Sequence, residues 1–355
     1  MKGLIKARLL GAVSALLMGS AMLAPAPAMA QTGQALPPNV GTADCDRACL
    51  EGFAELFVKA VIAHDPTMLP LAKGVRYSEN GVELPIPDGF FRNATGAGPY
   101  RLHVADPEWG TITFFARMQE NGAPVLVSTR LKLFAKKITE IEVIVAQERW
   151  ARWPADMEIP EHLGDKPRPE FTTIVPEKDR RSREDLMKIV NTYFTGIENN
   201  EGKRIPIFSS KCHRIEVGQP TSNVPLESGR EPSSHNYTCR EGIALGYHRN
   251  DNRLRNRRVI AVDVERQVVV AGVYFDHVNS DYIRSYKTND GRTVKVNDTM
   301  PTTLNIHEAF SIDKEGISQV EAVFTSVPYG VRPYFSTGFR MDSEGAVEEG
   351  FVEWP

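Results

Sequence analysis

Beyond about residue 30 the chain has no apolar run of the roughly 20 residues that a membrane-crossing helix needs, so no integral membrane association is expected of the mature protein. It lacks a Gly-x-Ser-x-Gly elbow, a His-Glu-x-x-His pair and a Gly-x-x-x-x-Gly-Lys loop, the signatures of α/β-hydrolase, zincin and P-loop chemistry. Neither sign of charge dominates. Lys and Arg number 42 against 45 Asp and Glu, a net charge of -3 that offers no general field to nucleic acid. One basic cluster, Arg249, Arg253, Arg255, Arg257 and Arg258, is interrupted by Asp251 and has no aromatic platform. It reads as a solvated loop, and no nucleic-acid partner is expected. The 4 cysteines include no tight Cys-x-x-Cys pair with matching histidines, so neither a metal site nor a cofactor is predicted.

What is present is the composition of a globular protein, 41% hydrophobic and 25% charged, at a length that suits about two domains. Lys2, Lys6 and Arg8 precede an apolar stretch from Leu9 to Leu23, and Ala28-Met29-Ala30 follows as a small-x-small cleavage site. That is the pattern of a secretory signal over residues 1–30, and it predicts a periplasmic or secreted protein with a polar, disordered leader over 31–43. Export places Cys45, Cys49, Cys212 and Cys239 where disulfides persist. Four cysteines allow three full pairings. Cys212 with Cys239 is favoured, both in one domain and in strand-like segments. Cys45 with Cys49 is the complementary pair, although one turn of regular helix suits a disulfide poorly unless the helix start frays.

The chain carries the same order of elements twice. Leu50, Phe53, Leu56, Phe57, Ala60 and Val61 recur at three and four and predict a helix over 44–63. Leu186, Ile189, Val190, Tyr193 and Phe194 do the same over 182–198, behind the capping signature Ser182-Arg183-Glu184-Asp185. Strand-like runs follow at 75–78, 100–104, 111–119, 123–134 and 137–146, and again at 206–208, 212–217, 259–264, 267–275, 302–311 and 317–325. Glu120-Asn121-Gly122 marks a hairpin turn. Short segments also match: Arg76-Tyr77-Ser78-Glu79-Asn80-Gly81 with His213-Arg214-Ile215-Glu216-Val217-Gly218, and Lys137-Ile138-Thr139-Glu140-Ile141-Glu142 with Gly316-Ile317-Ser318-Gln319-Val320-Glu321. This is a degenerate two-fold repeat. It predicts a first domain over 44–150, a Pro-rich extended linker over 151–181 opening near Trp150 and Trp153, a second domain over 182–340 and a tail over 341–355. Such a linker is long enough to let the halves meet face to face, so the repeat is expected to be a monomer that forms an intramolecular pseudo-dimer.

A helix, an Asn-Gly turn and a sheet closing on Phe310-Ser311-Ile312-Asp313-Lys314-Glu315-Gly316-Ile317-Ser318-Gln319-Val320-Glu321 resemble the NTF2-like, SnoaL-like fold, over about residues 44–340. The resemblance implies an α+β protein of two tandem cone domains, each a curled antiparallel sheet wrapping N-terminal helices around a pocket. It also implies that the paired halves pack sheet against sheet. That fold hosts lyases, dehydratases, isomerases and pure binding modules, so function rests on the site. Two expectations follow from the resemblance. One is a cofactorless lyase, dehydratase or isomerase acting on a small apolar or aromatic molecule. The other is a non-catalytic ligand-binding or sheet-mediated interaction module.

The catalytic candidates are Asp276, His277, His307 and Glu308. Within each adjacent pair, strand alternation sends one side chain to each face. A His on one strand and a carboxylate on its neighbour form a dyad suited to proton transfer. Tyr274 is placed to orient a substrate carbonyl. His213 and Glu216 lie where the resembling enzymes hold a polar pocket residue, although the neighbouring Cys212 points to a structural role. In the first half the ligand-binding candidates are Arg76, Tyr77, Glu79, Tyr100, His103 and Arg130. Arg76 and Glu79 are expected to pair near the pocket rim. Arg130 interrupts an apolar strand and needs a carboxylate, from the protein or from an acidic ligand. His248, in the Arg-rich loop, reads as solvated.

Overall fold

The structure is a computed structural model, and it describes residues 45–146, 163–199, 201–251, 253–277, 285–296, 301–335, 337–341 and 347–351. The expected signal sequence, the leader, Trp150, Trp153 and residues 151–162 of the linker lie outside these residues.

Helix α1 (Arg47–Ile62) begins where the Asp46 carboxylate accepts the Cys49 backbone N–H at 3.0 Å, and it buries Leu50, Ala54, Phe57, Val58 and Val61. Strands β1 (Leu71–Glu79) and β2 (Val82–Glu83), the short helix α2 (Phe90–Asn93) and strands β3 (Ala94–Asp106), β4 (Thr111–Glu120), β5 (Ala123–Phe134) and β6 (Lys137–Ala146) follow. The sheet order is β2-β1-β6-β5-β4-β3. Strands β3 to β6 form an antiparallel meander, turned at Asn121 and Gly122, both at positive φ. The sheet is nonetheless mixed, because β1 runs parallel to β6. The whole meander separates these two strands in sequence, so no hairpin forces them to oppose.

The second half holds α3 (Pro169–Thr172), α4 (Arg183–Glu198), β7 (Phe208–Glu216), β8 (Gln219–Pro220), α5 (Cys239–Ala244), β9 (Arg253–Asp263) and β10 (Val268–His277). The hairpin of β11 (Ser285–Lys287) and β12 (Thr293–Lys295), then β13 (Thr302–Ile312), β14 (Ile317–Pro328), β15 (Thr337–Met341) and β16 (Val347–Phe351) complete it. Its sheet order is β8-β7-β14-β13-β10-β9-β15-β16, with β7 parallel to β14. The protein is thus α+β with two similar sheet domains. The segment matching seen in the sequence is the strand pairing: Arg76 sits opposite Glu140, and its counterpart His213 opposite Gln319.

Three expectations change. Strand β15 pairs with β9, so the chain beyond residue 340 extends the second sheet. The later part of the linker is docked, with Phe171 buried in the second core and the Val175 N–H bonded to the Glu265 carbonyl at 2.8 Å. Arg255, Arg257 and Arg258 of the Arg-rich cluster lie in strand β9, buried because each guanidinium meets a carboxylate: Arg255 with Asp276, Arg257 with Glu198 and Arg258 with Glu142. Gly272 makes room for Arg258, since a Cβ there would lie 2.9 Å from its guanidinium.

Both expected disulfides form, Cys45–Cys49 and Cys212–Cys239. Cys45 precedes the N-cap residue, so the first bridge spans the helix entrance and not a regular turn. The halves pack sheet against sheet. Tyr100, Leu102, Phe115, Leu126 and Ile144 of the first sheet join the core of the second domain, while the opposite face of that sheet wraps α1. Tyr100 Oη donates to Glu321 at 2.7 Å, Arg258 reaches Glu142 at 2.6 Å, and Ser128 Oγ lies 2.8 Å from His307 Nδ1. Ser128 pairs with Phe115 and Ile144, and His307 with Gly272 and Val323, at matching places in the two sheets. That contact therefore marks a pseudo-two-fold axis. Among the described residues no helix is long and apolar enough to cross a membrane.

Candidate functional site

On the inner face of the second sheet a cavity of about 320 Å³ opens between α4, strands β7, β10, β13 and β14 and the segment that links β8 to β9. Phe275, Leu304, Ile306, Ala322 and Phe324 make its apolar wall. Its polar groups include Tyr193 from α4, Arg214 and Glu216 from β7, His277 from β10, Glu308 from β13, and His235, Tyr247, His248 and Asp251 from the linking segment. The Cys212–Cys239 bridge ties that segment to β7.

Asp251 is the centre of the polar side. Its Oδ1 lies 2.6 Å from His277 Nε2 and its Oδ2 2.9 Å from His248 Nδ1. The Arg214 guanidinium donates to His248 Nε2 at 3.2 Å, so that nitrogen must be unprotonated and the ring proton sits on Nδ1, facing Asp251. Arg214 also pairs with Glu216. Burial opposes ionisation of Asp251, but the hydrogen bonds from His248 and His277 outweigh it and hold the carboxyl below its ordinary range. Glu308 behaves in the opposite way. Burial, with repulsion from Glu216 and Asp251, outweighs Arg214 and the hydrogen bond from Tyr193, and pushes Glu308 up to about 8. Tyr193 Oη donates to Glu308 Oε1 at 2.9 Å. One cavity thus contains an ionised carboxylate bonded to two histidines and a carboxylic acid that keeps its proton at neutral pH.

Alternation divides the catalytic candidates. His277 and Glu308 face the cavity, whereas Asp276 and His307 face the other side of the sheet. There Asp276 is held by Arg253, Arg255 and Thr303, and His307 by Ser128 with Glu142 nearby. Tyr274 is buried on that same outer side, its hydroxyl against Gly81 of the first domain. Glu216 lines the cavity, and His213 is exposed on the outer face beside Asn223.

The first-domain candidates meet in separate groups, Tyr77 with Glu79 and Arg76 with Arg130 on Glu140, and not in one cavity. Arg76 pairs with Glu140 and not with Glu79, because strand alternation puts Arg76 and Glu79 on opposite faces. Glu79 instead accepts the Phe90 N–H at 2.5 Å and the Tyr77 hydroxyl at 3.0 Å. Arg130 finds its carboxylates within the protein, Glu140 at 2.7 Å and Glu142 at 2.9 Å. Tyr100 is spent on Glu321, and His103 lies 3.2 Å from Glu55.

Sequence reasoning missed Tyr193, Arg214, His248 and Asp251. The available signal was the repeat: Arg214 and Glu216 answer to Tyr77 and Glu79, so an inward arginine had replaced an inward tyrosine. His248 is not solvated as expected, because Asp251 and Arg214 draw it into the wall.

The model of a family described as a domain of unknown function (DUF8021) matches residues 179–324, which take in α4 and the strands that line the cavity. No curated protein and no solved structure matches the chain.

Proposed function

We propose that this is an exported protein whose second domain carries out cofactorless proton transfer on a small, mostly apolar molecule, as a lyase, dehydratase or isomerase. The observation that carries the reading is the coexistence, in one cavity, of the Asp251–His277 pair at 2.6 Å and an un-ionised Glu308. Groups whose environments push their protonation apart are the usual acid and base of such chemistry. His277, positioned by Asp251, takes a proton from the substrate. Glu308 delivers one to a developing or departing oxygen, with Tyr193 fixing the orientation of its carboxyl group.

Two disulfides favour an oxidising compartment, periplasmic or extracellular. The helix-then-sheet order of each half supports the NTF2-like cone reading. A monomer is expected, because each domain already covers the packing face of the other.

The test is a panel of enolisable ketones and β-hydroxy carbonyl compounds incubated in deuterium oxide and followed by proton NMR. Carbon-bound deuterium uptake or loss of water is expected, slowed about 100-fold or more by His277→Asn and by Glu308→Gln. Compounds that bind, yet react with wild type no faster than in buffer, would make the cavity a binding module.

A further inference from the structure

The head group of the ligand can be read from one oxygen. Glu308 is 3% exposed and lines the cavity. Its Oε1 accepts from Tyr193, while its Oε2 has no hydrogen-bond partner among the described residues. Buried polar atoms are almost always bonded, so an orphan beside a cavity marks the place of a missing partner. Resting on the small-molecule reading of the same cavity, we propose that it holds a neutral carbonyl compound. The Glu308 carboxylic acid donates from Oε2 to the ligand's carbonyl oxygen, and the apolar body of the ligand lies on Phe275, Leu304 and Phe324.

Charge excludes the alternatives. Arg214 and Glu216 on β7 neutralise one another, Asp251 in the linking segment is held by His248 and by His277 of β10, and His235 comes from the same segment. Tyr193 on α4, with the Arg214 guanidinium 5.8 Å from its ring centre, and Tyr247 of the linking segment, which burial pushes up to about 12, complete the titratable groups that line the cavity. Because these charges are spent on one another, a ligand carboxylate or ammonium would enter a site of low dielectric with no uncommitted counter-charge, whereas a neutral acceptor needs none. The raised pKa of Glu308 fits the same picture, because the acid keeps its proton until about 8.

Acetophenone, benzoate and benzylamine share a ring and differ in the head group, so their affinities for the full chain decide the matter. Titration calorimetry from about pH 6 to about pH 9.5 should find acetophenone tightest by about tenfold near neutrality, weakening about 30-fold at the alkaline end as Glu308 ionises. Glu308→Gln keeps a donor in place, so affinity should persist within about threefold and lose its pH dependence. Glu308→Leu should cost about tenfold, with circular dichroism confirming that both variants are folded. Tighter benzylamine binding that grows with pH would show an anion awaiting a cation and overturn the proposal. So would tighter benzoate binding, an acetophenone affinity flat across the range, or no saturable acetophenone binding. Turnover is a separate readout: ketone binding without turnover defeats the proton-transfer reading alone, and turnover of a charged substrate defeats this one alone.

Discussion

In the first domain Phe57 of α1 packs edge-on against Phe91 and Phe114, with ring centres 6.1 Å and 6.2 Å away. In the second domain Tyr193 holds the same place in its helix and gives its hydroxyl to Glu308. The register pairs Thr129 with Val143 and Phe114 in one sheet, and Glu308 with Ala322 and Ala271 in the other, so Thr129 and Glu308 are also counterparts. A separate pocket lined by Leu71, Val75, Tyr77 and Ile86 opens at the edge of the first sheet. Beneath the middle, the same strands in the same order therefore cover packed phenylalanines in one copy and a cavity in the other. The connection between the edge hairpin and the next long strand decides which. In the first domain it is short and drives Phe90 and Phe91, both fully buried, into the space under the sheet. In the second it is longer, is anchored by Cys239 to Cys212, and brings His235, His248 and Asp251 to the rim of the cavity. A sheet can be duplicated faithfully while its site is created or closed by one connection.

The largest expected effect bears directly on filled against hollow. Phe114→Ala should cost about 3–5 kcal/mol, because it opens a void in a packed core, whereas Phe324→Ala, on a wall that already borders space, should cost about 2 kcal/mol. Urea midpoints of the two variants measure this, and equal losses would mean that the second core is as full as the first.

The disulfides sharpen the contrast between the connections. The Cys212–Cys239 bridge closes a separation of 27 residues and Cys45–Cys49 one of 4. On the chain-entropy account, replacing the first pair by serines should cost about 3–4 kcal/mol and the second about 2 kcal/mol. A larger loss at Cys45 and Cys49 would show that the helix entrance, not the long connection, is the weaker part.

The last effect is the pH dependence that Glu308 brings to the hollow copy. Glu308 keeps its proton in the folded state up to about 8, while the unfolded chain releases it near the ordinary carboxyl range. The folded state then binds the extra proton, so stability falls as pH rises from about 5 to about 8 and levels off above. Relative to Glu308→Gln, wild type should lose about 3–4 kcal/mol across that window. Thermal or denaturant unfolding at several pH values reads it, and a constant difference between the two proteins would remove Glu308 from its buried, protonated state.

Much of this was legible in the residues because it is periodic. Leu186, Ile189, Val190 and Phe194 announce α4, and adjacency alone divides Asp276 from His277 and His307 from Glu308 between faces. What stayed hidden depends on partners far along the chain. Arg255, Arg257 and Arg258 look solvated until Asp276, Glu198 and Glu142 are brought to them. Asp251 looked like an interruption in a basic run, and only the fold carries His277 to it. The parallel placement of β1 and β7 was equally invisible, since strand direction follows from the path of the whole meander and not from any residue in the strand.

The contact of Ser128 with His307 carries a consequence for how such a protein can diverge. In a dimer of identical chains, whatever sits on the two-fold axis meets its own copy: serine against serine, or histidine against histidine. Joining the halves in one chain removes that identity, so His307 meets Ser128, and Glu142 meets Arg258 where its counterpart Glu321 meets Tyr100. Each half can then mutate without imposing the same change on its mate. One copy is free to become a solid buttress of phenylalanines, and the other to keep an interior that folding alone would not favour.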